Sequence, residues 1–321
     1  MTALAETIAS EETAGIGRRG DRLSIMIPTF NCADYLRQTL ASLRQQEDQI
    51  ADAQIAIVDD ASFADDPRQA SEESWPGRAN FIRQPRNVGL VANFNDCLQL
   101  AERPWVHILH GDDVVLPGAY AEFHRVASLY PQSSAIFGRS VFMEARGFWR
   151  GTTPFLGGDS CGLLSYKPMD WISCPVQCAG VLIRPEEIRR LGGFDPHFSH
   201  SADWNLWWRI ARTGRAAYTN CCVGGYRMYE GNHSSTLRRS GANLREGIDQ
   251  IARVAEDCPA DTSPRQIWAP MVEQIGRQCR QFENDAEAYA ANLALLDLMP
   301  PAAVHWRTRA RLRRKRPKCK N

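Results

Sequence analysis

Two adjacent carboxylates, Asp112 and Asp113, stand in the stretch His110-Gly111-Asp112-Asp113-Val114-Val115-Leu116-Pro117-Gly118. The run before it, Trp105-Val106-His107-Ile108-Leu109, reads as a buried strand. Pro117 suits the first turn of a following helix. The pair is therefore expected on a short loop at the carboxyl end of a strand, the edge at which open α/β sheets bind ligands. Two readings follow. The carboxylates could hold Mg²⁺ or Mn²⁺ with a phosphate beyond it, because hard oxygen ligands suit those ions. Taken alone, the stretch reads more simply as two solvated aspartates of a polar loop, where water relieves their mutual repulsion.

Other polar clusters sit at equivalent places. A first strand over 23–27 ends in Pro28-Thr29-Phe30-Asn31, and a helix follows over 34–46 through Leu36, Leu40 and Leu43. A strand over 54–58 ends in Asp59-Asp60-Ala61-Ser62, and a short helix is expected within 63–78. A third strand over 80–83 leads to the turn Asn87-Val88-Gly89 and a helix over 90–101. Such alternation with short connections predicts a mostly parallel sheet with helices on both faces. Its four strand-end loops then converge on one cleft. No GxxxxGK[ST] loop occurs, which excludes a P-loop, and the Gly15-x-Gly17-x-x-Gly20 run precedes a strand instead of following one.

Beyond Pro117 the pattern predicts a helix to about 130, a strand over 135–143 and a Gly-rich mobile loop over the cleft at 144–160. A strand over 177–183 and a short helix over 185–191 follow. Ser201-Ala202-Asp203-Trp204 opens a helix over 205–212, with Ser201 as N-cap and Asp203 in the first turn. A last strand is expected over 217–226. From Leu237 the chain reads as helical to about 298, with Pro259, Pro264 and Pro270 as interruptions.

The chain has 321 residues, 44% hydrophobic and 23% charged, which is ordinary globular composition. A net charge of +1 gives no overall field for nucleic acid. Ten scattered cysteines, with no basic start or apolar core of a signal peptide, read as free thiols in a reducing cytosol. Cys174-x-x-x-Cys178 with Cys221-Cys222 lacks the spacing of common zinc knuckles. No run of about 18 apolar residues occurs, so no transmembrane helix is expected.

Six motifs, in order, resemble the inverting glycosyltransferases of family 2 with the GT-A fold. They are Ser24-Ile-Met-Ile-Pro-Thr-Phe-Asn31, Ile57-Val-Asp-Asp-Ala-Ser62, Arg86-Asn-Val-Gly89, Leu109-His-Gly-Asp-Asp-Val-Val-Leu-Pro-Gly118, Leu191-Gly-Gly-Phe-Asp195 and Asp203-Trp-Asn-Leu-Trp-Trp-Arg-Ile210. The resemblance covers about 22–236. It implies a GT-A domain there; composition and pattern, outside the resemblance, give a mobile arm over 1–21, a helical extension over 237–300 and a basic tail over 301–321. The resemblance also implies a nucleotide-sugar donor, a divalent cation and an acceptor hydroxyl; the basic tail would suit a saccharide or lipid-linked acceptor of the cell envelope or an exopolysaccharide.

Carried onto this chain, the resemblance places Pro28 and Phe30 near the base and ribose, and Asn87 and Gly89 along the nucleoside. Asp60 would accept the N3–H of a uracil, Asp112 would face the ribose or sugar, Asp113 would hold the cation and Asp203 would be the general base. Arg227 would pair with the diphosphate. Bland readings stand beside these: Asp60 as an Asx-turn residue, Asn87-x-Gly89 as an ordinary turn, Phe30 as core, Asp203 as a helix-terminal charge, and Trp204, Trp207 and Trp208 mostly as core.

Two departures mark the chain. Gly111 takes the first place of the family's Asp-x-Asp, and Tyr229 stands where many members carry the histidine of Tyr-Arg-x-His. Either His233 substitutes, or the cation relies on Asp113 and phosphate. A silent homologue that only binds nucleotide-sugar is the competing class. A nucleotidyltransferase would commonly carry a basic, Gly-rich loop in place of Pro28–Asn31. The tail, with Trp306 and Leu312 among arginines, reads as a solvated tail or as a peripheral contact with the inner face of the membrane.

Overall fold

The computed structural model describes residues 23–231 and 236–314. The arm expected over 1–21, the Gly15–Gly20 run, His233 and the last seven residues of the tail lie outside the described residues.

Ten strands form one sheet. β1 (Leu23–Thr29), β2 (Gln54–Asp59), β3 (Asn80–Arg83) and β4 (Trp105–Ile108) make a parallel half in the order β3-β2-β1-β4. The sheet continues through β9 (Val181–Ile183), β6 (Ala135–Glu144), β10 (Ala216–Met228) and β5 (Val114–Val115). β9 runs antiparallel to both β4 and β6, whereas β6 and β10 are parallel. The expected parallel sheet is therefore present in its first half, whereas the second half is mixed: besides β9, β5 and β8 (Cys161–Leu163) run antiparallel to β10.

β1 shows why helices cover both faces. Leu23, Ile25 and Ile27 alternate onto one side, where they meet Leu36, Leu40 and Leu43 of α1 (Ala33–Arg44). α2 (Glu47–Ile50) and α3 (Pro67–Ser74) follow, the latter capped by Asp66, whose side chain accepts the Gln69 N–H. Met26 points to the other side, toward Val91 and Phe94 of α4 (Leu90–Leu100). α5 (Ala119–Leu129) covers the first face through Tyr120, Phe123 and Val126.

After α6 (Pro185–Arg190) comes α7 (Ala202–Arg212), which buries Trp204, Trp207 and Trp208 as core. The region after β10 is helical: α8 (Ala242–Ala255), α9 (Pro264–Gln281), α10 (Ala286–Ala294) and α11 (Trp306–Arg314). Leu244, Ile248, Ile251, Trp268, Met271 and Ile275 join the same hydrophobic cluster as the α7 tryptophans, so these helices share a core with the sheet. Among the described residues no helix is long and apolar enough to cross a membrane.

Four expectations change. The strand expected over 177–183 is only Val181–Ile183, because Cys178–Gly180 forms a 3₁₀ turn packed closely against β6. The loop expected over 144–160 contains β7 (Trp149–Thr152), paired with β6, and it does not line the cleft. Pro270 lies inside α9 and does not end it. The tail begins as a docked helix: Leu312 is buried, its carbonyl accepts the Tyr289 hydroxyl, and Arg309 and Arg313 reach Asp297.

Candidate active site

The loops at the carboxyl ends of β1, β2 and β4 meet the turn before α4 and the first turn of α7. Between them lies a cleft of about 700 Å³. Pro28, Phe30, Asp60, Asn87, Gly89, Asp112, Asp203 and Arg227 all line it. Asp113 does not; it lies in the wall behind, 1% exposed.

The β1 and β2 loops are laced together. Asn31 adopts φ 50° and its Oδ1 accepts the Phe63 and Ala64 N–H groups at 2.9 and 3.0 Å. Asn tolerates this left-handed backbone better than most residues. Phe30 is 42% exposed and meets Phe63 edge-on at 5.8 Å, so it is a rim aromatic and not core. Asp60 reaches across to the turn before α4: its Oδ1 accepts Val88 N–H at 2.6 Å and its Oδ2 accepts Gly89 N–H at 3.0 Å. Asn87 Nδ2 donates back to the Asp60 carbonyl at 3.2 Å. These bonds span 27 to 29 residues, so Asp60 is not a local Asx turn. Burial pushes its carboxyl up, while the two N–H groups work the other way. Gly89 holds φ 89°, a conformation that side-chain-bearing residues rarely adopt, and this aims its N–H at Asp60.

Gly111 is required by close approach. A Cβ there would stand 2.8 Å from Thr29 Oγ1 and 3.0 Å from Cys32 Sγ, so an aspartate has no room at that place. Beside it, Asp112 Oδ2 accepts the Tyr229 hydroxyl at 3.0 Å. Asp113 Oδ1 accepts the Arg227 backbone N–H at 2.8 Å, whereas Oδ2 is buried with no hydrogen-bond partner and has His110 Nδ1 at 3.5 Å. Burial, then the neighbouring Asp112 charge, pushes Asp113 well above the usual carboxylate range, and Asp203 adds to this.

Donor atoms of His110, Asp112 and Asp113 lie within 4.8 Å of one another. An orphaned carboxylate oxygen, two like charges and an imidazole within that radius suit a divalent cation, which would relieve both the repulsion and the unpaired acceptor. Of the three, His110 had drawn no assignment from the sequence. It is three residues from Asp113 in the same loop, and its ring stacks on Phe94 at 4.9 Å.

Arg227 is placed differently from expectation. It is 1% exposed and its guanidinium donates to the Asp112 carbonyl, the Ala145 carbonyl and Gln38 Oε1 at 2.8–3.0 Å. It also lies over the Tyr35 ring at 4.7 Å. With these donors engaged, Arg227 clamps β10 to the aspartate loop and is not presented to a diphosphate.

Asp203 occupies the first turn of α7, where its Oδ1 accepts the Trp204 N–H at 2.7 Å. Burial raises its carboxyl from 3.8 to about 6, against the Trp204 N–H, with a smaller push from the Glu246 charge. Cys174 and Cys178 sit near it, their thiols pushed up by burial and by the same carboxylate. Ser201 holds the N-cap position, but its side chain makes no capping bond. The N–H groups of Ser199, His200 and Ser201 donate instead to Glu246, a residue that no local sequence signal marks.

Comparison with known proteins gives a family match over part of the chain and a shared fold. The model of the family described as "Glycosyl transferase family 2" matches residues 24–180. A Mycoplasma pneumoniae protein named as an uncharacterized glycosyltransferase is 34% identical over 125 residues, 38% of each chain. A Mycobacterium tuberculosis protein is 34% identical over 103 residues, 32% of this chain and 31% of its own. These matches span about a third of the relatives' lengths.

Among solved structures, S. aureus TarS 1–349 with UDP-GlcNAc aligns at TM-score 0.60 and 16% identity over 92% of this chain and 87% of that one. A mannosyltransferase from Pyrobaculum calidifontis with GDP-Man and Mn²⁺ aligns at TM-score 0.54 and 17% identity over 97% and 86%. At such identities the structural likeness establishes the GT-A fold.

Proposed function

We propose, from the match of residues 24–180 to glycosyltransferase family 2, that this chain is a member of that family and moves a sugar from a UDP-sugar to an acceptor hydroxyl with inversion. The carrying observation is the convergence of Asp60, Asp112 and Asp203, 143 residues apart at the extremes, on one cleft large enough for an activated sugar.

In this reading the nucleoside lies along Pro28, Phe30, Asn87 and Gly89, and Asp60 accepts the uracil N3–H. Val88 and Gly89 hold the Asp60 carboxylate in place for that contact. His110, Asp112 and Asp113 hold Mg²⁺ or Mn²⁺. When bound, the cation supplies Lewis-acid stabilisation of the charge that develops on the departing diphosphate.

The acceptor hydroxyl is a poor nucleophile, and Asp203 takes its proton as attack proceeds. A carboxylate raised to about 6 is a stronger base than a solvated one and remains ionised at neutral pH. With base and leaving group on opposite sides of the anomeric carbon, displacement is in line and needs no covalent intermediate. The acceptor is taken as a saccharide or lipid-linked glycan. The outer face of α11, with Trp306 68% exposed beside exposed Arg307 and Arg311, supports a peripheral contact with an anionic membrane surface.

The test is a thermal-shift and turnover panel of UDP-, GDP- and dTDP-sugars with and without Mn²⁺, with the product anomer read by NMR. Stabilisation by UDP-sugars that Mn²⁺ strengthens, followed by inverted product, is the expected result. Nucleotide binding without any transfer or donor hydrolysis would instead assign the chain to the silent-homologue class.

A further inference from the structure

The segment carrying Asp203 is held by a helix outside the residues that match the family. α8 turns one face toward it, with Glu246, Asp249, Gln250 and Arg253 at positions i, i+3, i+4 and i+7. Arg253 reaches Asp195 at 3.4 Å and lies over the Phe198 ring at 4.8 Å. Asp249 stands 3.7 Å from His197, and Gln250 accepts from Asn205 of α7 at 2.8 Å.

Glu246 makes the densest set of contacts. Its Oε2 accepts three successive backbone N–H groups, from Ser199 at 2.9 Å, His200 at 2.7 Å and Ser201 at 2.9 Å, and its Oε1 accepts the Ser199 hydroxyl at 2.7 Å. Burial opposes the Glu246 charge, but the Ser199 hydroxyl and the three N–H groups outweigh it and hold the carboxyl below its usual range.

Two further facts give this a consequence. Residues Ser199 to Asp203 all line the cleft, so the segment bound by Glu246 runs directly into the proposed base. The Ser201 side chain makes no capping bond, so the entry to α7 depends on a carboxylate from elsewhere in the chain. We infer that Glu246 is a positioning residue for transfer: through the amides of Ser199–Ser201 it fixes where the Asp203 carboxylate stands, which makes α8 part of the catalytic unit. This rests on the reading of Asp203 as base.

The test compares full-length wild type, Glu246→Ala and Glu246→Gln by hydrogen exchange, by donor and acceptor kinetics, and by calorimetric UDP binding. Glu246→Ala should speed exchange at Ser199–Ser201 while β1–β4 stay protected. It should lower kcat by about ten- to a hundredfold, the size expected of a base displaced by about 1 Å, with donor KM and UDP affinity changed by no more than about twofold. Glu246→Gln keeps one acceptor oxygen and should recover part of kcat; if the alanine variant does not fold, glutamine against wild type gives the same comparison. An active wild type whose kcat is unchanged in a folded variant, or unchanged exchange at Ser199–Ser201, overturns the role of Glu246. A wild type with neither transfer nor donor hydrolysis overturns the role of Asp203 as base instead.

Discussion

Asp203→Asn separates the chemistry of this cleft from its stability. The wild-type carboxyl moves from 3.8 to about 6 on folding because burial disfavours its charge. At about 1.4 kcal/mol per pH unit, ionised Asp203 therefore costs the folded chain about 3 kcal/mol. Water in the open cleft screens part of this, leaving an expected gain of about 1–3 kcal/mol when the charge is removed.

The sign follows from linkage. Below about pH 3.8 the carboxyl is protonated in folded and unfolded chains alike, and no cost arises. Between 3.8 and about 6 the unfolded chain ionises first, so wild type loses stability relative to asparagine as pH rises. Above about 6 the difference is constant. Asparagine Oδ1 can still accept the Trp204 N–H. Urea unfolding should thus show Asp203→Asn more stable than wild type at pH 8, with about half that gain at pH 5. Transfer should fall by about 10²–10⁴-fold while UDP binding is retained. In wild type, kcat should drop on the acid side with a midpoint at about 6, where burial places the Asp203 carboxyl. A variant destabilised equally at both pH values, or one that still transfers sugar, would refute the reasoning.

Other expectations follow from the same geometry. Gly89→Ala has open space for its Cβ, so its cost of about 1–3 kcal/mol comes from backbone strain at φ 89° alone, and a melting curve matching wild type would reject that account. Tyr229→Phe removes the hydroxyl donated to Asp112, releasing a carboxylate oxygen; Mn²⁺ titrated in the presence of UDP should bind about fivefold tighter, and weaker binding would show that the hydroxyl supports the site. Arg307→Ala with Arg311→Ala should weaken binding to phosphatidylserine vesicles by about 1 kcal/mol per arginine without changing turnover of a soluble acceptor, and equal pelleting with wild type would remove the proposed membrane contact.

Much of the fold was legible because it depends on local periodicity. Leu23, Ile25 and Ile27, alternating against the 3.6-residue repeat of Leu36, Leu40 and Leu43, dictate a strand followed by a helix. Repeating that unit dictates a parallel sheet whose loops share an edge, which is why Pro28, Asp60, Asn87 and Asp112 group together on sequence alone. The reversed strand β9 and the docked start of the tail were less legible. Val181–Ile183 is too short to show its direction, and the tail docks because the Tyr289 hydroxyl reaches the Leu312 carbonyl and Asp297 meets Arg309 and Arg313.

Within the site, the sequence by itself determined which residue types stand at the strand ends, since loops after parallel strands have nowhere else to go. Only the tertiary structure decided what each side chain is free to do. Arg227 looked available for phosphate until its donors were found on Asp112, Ala145 and Gln38. Gly111 looked like a missing ligand until Thr29 and Cys32 were found in the space an aspartate would need. Glu246 carried no signal at all, because its three amide contacts join residues 45 to 47 positions apart. Periodicity is a property of neighbours along the chain, whereas hydrogen-bond occupancy and burial depend on which distant groups arrive at the same point in space.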